Sequence, residues 1–174
     1  PATTIVIDPA MAFGTGEHPT TRGVLRLMQS VIRAGDTVAD LGAGSAVLSI
    51  AAAKLGATRI AAIEIDDGAE ESAAENIRVN NTEGAIRYLV GDATVLLSLV
   101  APVRVILANI VSSVLMELLP DIARSLTGDG VAILSGILVE ERDVMTRAVE
   151  RAGMRVVTDE VEGDWLSLLI VRAS

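Results

Sequence analysis

Thr37-Val38-Ala39-Asp40-Leu41-Gly42-Ala43-Gly44-Ser45-Ala46-Val47 is the stretch whose reading decides the fold. A β-rich run ends at two glycines, and an apolar, Ala-rich segment from Ser45 to Leu55 then stops at Gly56. Strand, glycine turn, helix and closing glycine open a nucleotide-type βαβ unit. The next run, Arg59 to Ile63, reads as a second strand and leads straight into Glu64. Glycines let a ligand approach the backbone, and the helix start offers N–H donors. Gly42 and Gly44 are therefore cofactor-binding candidates. The pattern is G-x-G without a third glycine, because Val47 stands in that place.

Outward from this unit the alternation continues. Asp67 to Asn80 reads as a helix with acids crowded at its start, which suits the positive end of its dipole. Ile86 to Val90 is a third strand closed by Gly91-Asp92, and Val103 to Ala108 a fourth ending at Asn109. A helix spans Val114 to Leu126, broken or restarted at Pro120, and a fifth strand spans Val131 to Leu134. Glu140 to Ala152 is a helix stopped by Gly153. Arg155 to Val161 and Trp165 to Val171 are two strands separated only by Glu162-Gly163-Asp164. Strand–helix alternation predicts a parallel sheet covered on both faces. So short a final link predicts an antiparallel hairpin. The expected architecture is α/β: a mostly parallel seven-stranded sheet with helices on both faces and a C-terminal antiparallel hairpin.

The 174 residues suit one domain, 1–174, with no repeat or linker to split it. Hydrophobic residues make up 51%, which excludes disorder, and only Phe13, Tyr88 and Trp165 are aromatic, so the core is aliphatic. The absence of cysteine excludes a disulfide framework, a thiolate zinc site and a cysteine nucleophile; with His18 the only histidine, no metal centre is expected. A net charge of −9 argues against direct nucleic-acid binding. The longest charge-free apolar runs, Leu41 to Ala53 and Val105 to Met116, fall short of the roughly 18 residues of a membrane span. A cytoplasmic protein is the expectation.

Four polar residues stand where strands end. Glu64 follows Gly42 by 22 residues and can accept both hydroxyls of a ribose, whereas a 2′-phosphate would be repelled. Asp66 and Asp67 compete for that role, with helix capping assigned to Asp67. Asp40 beside the turn would oppose a pyrophosphate but welcome an amino group, directly or through water. It therefore tilts the cofactor from NAD towards S-adenosylmethionine; its plainer role is bonding the loop backbone. Asp92 can accept from an adenine amino group or simply make the turn. Asn109 can receive an N–H of a substrate amine or make a local Asx turn.

The segment Asp8-Pro9-Ala10-Met11-Ala12-Phe13-Gly14-Thr15-Gly16-Glu17-His18-Pro19-Thr20-Thr21 closely resembles the signature of the bacterial methyltransferases of large-subunit ribosomal protein L11. The resemblance continues through Asp40 to Ile50, Ala57 to Asp66, Ala108-Asn109-Ile110 and Leu134-Ser135-Gly136-Ile137-Leu138 to Glu162-Gly163-Asp164-Trp165. It implies a Rossmann-like class I methyltransferase fold with S-adenosyl-L-methionine as cofactor. It further implies that Thr21, Gly42, Glu64 and Asn109 contact the cofactor, with residues 1–22 forming the active-site entrance loop and the start of the first helix. Phe13, Gly14 and Thr15 would lie near that entrance, and Phe13 and Thr15 join Asn109 as catalytic candidates. His18 falls on the family's loop histidine and is read as loop-ordering. Two positions depart from the pattern: Ala46 replaces a usual glycine, tolerable where φ is negative, and Glu64 replaces a usual Asp. The family's N-terminal substrate-recognition domain precedes this region, and the chain begins just ahead of the signature.

The reaction so implied is protein N-methylation, at a lysine or amino-terminal amine of a ribosomal protein. The alternatives are a methyltransferase for another protein or small molecule, a non-catalytic domain binding the same cofactor, and an NAD-binding oxidoreductase.

Overall fold

The computed structural model describes residues 2–8 and 15–174. Chain order is α1 (Pro19–Gln29), β1 (Thr37–Leu41), α2 (Val47–Lys54), β2 (Arg59–Glu64), α3 (Glu70–Val79), β3 (Ile86–Val90), α4 (Ala93–Val100), β4 (Val103–Asn109), α5 (Ser112–Ser125), β5 (Leu126–Leu138), α6 (Arg142–Arg151), β6 (Met154–Glu162) and β7 (Trp165–Arg172). The seven strands form one sheet in the order β3-β2-β1-β4-β5-β7-β6. β1 to β5 are parallel, while β7 runs antiparallel to both β5 and β6. The expected architecture and terminal hairpin are both found.

Period-two alternation builds two cores. Along β4, Val105 and Leu107 face one side with α1, α2 and α3, while Ile106 and Ala108 face the other with α4, α5 and α6. Both faces are thus covered, as a parallel sheet requires. A buried Arg104–Asp36 ion pair at 2.8 Å fastens β4 to the residue just before β1, away from the strands' carboxyl ends.

Several expected boundaries move. The helix over 67–80 begins as a 3-10 turn, Asp67–Ala69, before α3. Its cap is Asp66, whose Oδ1 accepts from Gly68 N–H at 2.9 Å, and not Asp67. The helix α4 was not expected: eight residues between Asp92 and Ala101 contain no charge and only one buried side chain, Leu97, so periodicity is nearly silent. α5 runs unbroken through Pro120, held by Leu115, Leu118, Leu119 and Ile122 on its buried face. The fifth strand is longer than read at both ends: Leu126 pairs with Val103 of β4, and the antiparallel partner β7 extends the pairing to Leu138.

The strand order reverses between β1 and β4. Connections leave β1 towards β2 and β3, then cross back to β4 and β5. Ligands of open α/β sheets bind outside the carboxyl ends at such a switch point.

Candidate active site

At that switch point lies a cavity of about 510 Å³, within the size range of small-molecule sites. Its wall takes contributions from six strands at this edge of the sheet: Asp92 after β3, Glu64 on β2, Gly42 after β1, Asn109 on β4, Gly136 on β5 and Trp165 at the start of β7. The topology therefore gathers side chains that are distant in sequence.

The glycine turn explains its own composition. Gly42 has φ +72°, and a Cβ there would overlap the side chain of Ile110. Gly42 and Ala43 both donate to Ile63 O, at 2.9 and 3.0 Å, so the turn is strapped to the end of β2. Gly44 N–H donates to Glu64 Oε2 at 2.9 Å, and Asp66 N–H donates to Oε1 at 3.1 Å. Glu64 is thereby fixed in the cavity wall with both oxygens oriented, and each keeps a lone pair for a ligand's hydroxyls. Tyr88 donates its hydroxyl to Gly44 O at 2.8 Å. Burial, then the nearby carboxylates led by Glu64, raise the Tyr88 phenol above its usual range, so it remains a donor.

The turn departs from expectation at Ala46. Its φ is +67° and its ψ +16°, in the left-handed region, and not negative. The methyl group is fully buried among the aliphatic core, which holds the strained backbone in place.

Asp40 is 1% exposed and lies outside the cavity wall. Ser49 Oγ donates to its Oδ2 at 2.7 Å, while Oδ1 is buried without a partner. Burial, opposed by the Ser49 hydroxyl, raises this carboxyl to about 6. Its observed partner is Ser49 on α2, through side chain and backbone, neither the loop backbone nor an exposed ligand face.

Asn109 makes no Asx turn. Its Nδ2 donates to Thr21 Oγ1 at 3.4 Å, which leaves the amide oxygen as an acceptor in the cavity wall. Thr21 itself is buried behind the wall. It is held because the neighbouring Thr20 carbonyl accepts from Ser135 Oγ at 3.1 Å, and Ser135 pairs with Ser167 at 2.7 Å. This buried hydroxyl network seats α1 on β5 and β7.

Asp92 lines the cavity and also makes the turn: its Oδ1 accepts from Thr94 N–H and Thr94 Oγ1, each at 2.8 Å. Those hydrogen bonds hold its pKa below the ordinary carboxylate value. His18 caps α1 by accepting from Thr20 N–H at 3.3 Å and meets Trp165 edge-to-face at 5.2 Å between ring centres. It thus caps the first helix, and it also lines the cavity. Thr15 accepts from Glu17 N–H at 3.4 Å and is not part of the wall. Gly44 stands behind the wall through its bond to Glu64. Phe13 and Gly14 lie outside the described residues.

Three contributors escaped sequence reasoning. Tyr88 gave no signal beyond being the only tyrosine. Trp165 reads from sequence only as a strand residue. Asn76 was hidden inside a helix, yet Ala73, Asn76, Ile77 and Asn80 recur at helical spacing, placing two amides on an apolar stripe.

Among the described residues the cavity wall carries three carboxylates, Glu64, Asp92 and Glu117, and neither Lys nor Arg. Such a wall suits a ligand bearing hydroxyl and amino groups and opposes a pyrophosphate. It fits S-adenosylmethionine and disfavours a dinucleotide.

A family model described as ribosomal protein L11 methyltransferase (PrmA) matches residues 1–173. A curated ribosomal protein L11 methyltransferase from Bacillus cereus is 39% identical over 165 residues, covering 95% of this chain and 52% of the relative. The chain thus spans about half the length of the curated relatives it matches. Among solved structures, the ribosomal protein L11 methylase of Lactobacillus delbrueckii subsp. bulgaricus aligns with a TM-score of 0.85 at 31% identity, over 97% of this chain and 84% of that one. A precorrin-6y C5,15-methyltransferase from Geobacter metallireducens aligns with a TM-score of 0.76 at 17% identity over 97% of both chains, a likeness of fold alone.

Proposed function

Because the chain belongs to the ribosomal protein L11 methyltransferase family, we propose that it binds S-adenosylmethionine at the carboxyl ends of β1, β2 and β4 and methylates an amine nitrogen of a ribosomal protein. One observation carries the reading: Glu64, Gly42 and Asn109, from three adjacent strands, share a single cavity at the switch point. Glu64 accepts the ribose hydroxyls, Gly42 and Gly44 admit the ligand to the backbone, and Asp92 accepts from the adenine amino group. Asp40 supports the cofactor's amino group from below the turn, through water, since it does not reach the wall. When bound, the cofactor supplies an electrophilic methyl on a sulfonium centre.

The chain's own contribution is position and electrostatics. Asn109 Oδ1 accepts an N–H of the neutral acceptor amine and so aims its lone pair. Thr21 orients that amide by accepting from Nδ2. The acidic wall favours approach of a cationic acceptor, and water takes the proton before transfer. Phe13 and Thr15 are assigned to the acceptor's entrance on the strength of the family signature. Ribosomal proteins are made in the cytoplasm, and we place the activity there; among the described residues no helix is long and apolar enough to cross a membrane.

Incubation with labelled S-adenosylmethionine and purified ribosomal protein L11, read by mass spectrometry, tests the proposal. Methyl-group increments on L11 are expected, with Asn109→Ala lowering kcat more than cofactor affinity. Equal turnover in parent and variant would remove Asn109 from the mechanism, and cofactor binding without transfer would point to another acceptor.

A further inference from the structure

We propose that Asn76 is a positioning residue that ties the amino-terminal strap, residues 5–8, to the glycine turn, so that filling the turn and seating the strap stabilise each other. This rests on the reading that the turn belongs to the cofactor site.

Asn76 is 0% exposed on α3, and both ends of its amide are used. Oδ1 accepts Asp8 N–H at 3.0 Å, and Nδ2 donates to Ser45 O at 3.1 Å. One helical turn later, Asn80 Oδ1 accepts Val6 N–H at 2.9 Å, and its Nδ2 donates to Val6 O at 2.7 Å and to Asn76 O at 2.7 Å. Ile5 and Ile7 pack against the core beneath α1, α2 and α3. Alternate residues of the strap therefore give side chains to the core and backbone groups to the two amides. Asn76 and Asn80 take the place of a neighbouring strand.

The other end of Asn76 holds a strained point. The Ser45 carbonyl lies between Gly44 at φ +51° and Ala46 at φ +67°. Asn76 fixes the Ser45–Ala46 peptide plane, as Tyr88 fixes the plane before it through Gly44 O. Any ligand that settles the turn settles Asn76, and a settled Asn76 presents Oδ1 to Asp8. A buried amide cannot release one partner without stranding it. Coupling of this kind is reciprocal: whatever the ligand does for the strap, the strap does for the ligand. A residue that merely filled space on α3 would hold the helix without linking the two.

The test is titration of the parent chain, Asn80→Ala, Asn76→Ala and the double variant with S-adenosylhomocysteine, each below its melting temperature. Amide exchange at Val6 and Asp8 is followed with and without that ligand. The ligand should slow exchange at both amides in the parent, and each single variant should raise Kd roughly fivefold or more. Asn80→Ala should add nothing in the Asn76→Ala background. Saturable binding that leaves exchange at Val6 and Asp8 unchanged, with Asn80→Ala binding like the parent, overturns the coupling; so do additive effects in the double variant. Should Asn76→Ala fail to fold, the exchange measurement and Asn80→Ala still decide. A flat titration of the folded parent removes the cofactor reading itself, and the coupling with it.

Discussion

Ala46 carries a cost that its sequence position conceals. An L-residue in the left-handed region is disfavoured by roughly 1–2 kcal/mol, whereas glycine adopts it freely at some entropic cost of its own. Ala46→Gly should therefore raise stability by about 0.5–1 kcal/mol in denaturant unfolding; a loss of stability would mean that the buried methyl outweighs the strain. The sequence marked Ala46 as a departure but could not supply the sign of φ, because that sign is set by Ile63 O, Ser45 O and their partners. Asp40 makes a second residue-scale prediction. Its folded carboxyl stands at about 6 against an ordinary 3.8. The folded state therefore holds this proton more tightly, and the stability it contributes is lost as pH rises from about 4 to about 6. Relative to the parent, Asp40→Asn should gain stability across that window, reaching about 2–3 kcal/mol above pH 7, with no further change beyond. A parent–variant difference independent of pH would show that Asp40 titrates normally. Its acidic nature beside the turn was legible, but its burial on Ser49 was not, since Ser49 lies nine residues on and only the folded helix α2 brings it back.

At the scale of elements, α5 contains a proline that it does not need. Pro120 is exposed in the helix interior, where it removes an N–H and crowds the preceding turn. An interior proline costs about 3 kcal/mol, so Pro120→Ala should stabilise the chain by roughly 1–3 kcal/mol, measured by thermal melting. A neutral result would indicate that the helix already bends there without strain. The sequence suggested a break at Pro120 because local rules weigh the lost hydrogen bond and cannot weigh four buried aliphatic side chains. The helix α4 was missed for the opposite reason. It carries no charge, only Thr94 and Ser98 are polar, and Val95 and Leu99 are exposed, so its amphipathic signal is weak. The full length of β5 escapes local reading because its pairing with β4 at Leu126 and with β7 up to Leu138 is a tertiary event. By contrast α2 and α6 carry their own stop signals, Gly56 and Gly153, and each is found near its expected place.

For the whole molecule, alternation of strands and helices foretold the layers, the parallel pairing and the terminal hairpin. The strand order creates the switch point, and the switch point decides which residues meet. Glu64, Asp92 and Asn109 were identifiable because strand ends are fixed in sequence and all point to one edge. Asn76, Tyr88 and Trp165 were not, because their roles exist only across the fold. The acidic wall then separates the two cofactor classes that a glycine turn alone leaves open. The most direct measurement is calorimetric titration of the purified chain with S-adenosylhomocysteine, with NAD as the control ligand and Glu64→Ala as the control protein. Saturable binding of S-adenosylhomocysteine but not NAD is predicted, weakened in Glu64→Ala by about 1–3 kcal/mol, the cost of stranding hydrogen-bonded partners. Binding of NAD instead, or no binding by a chain that circular dichroism reports as folded, would contradict the account.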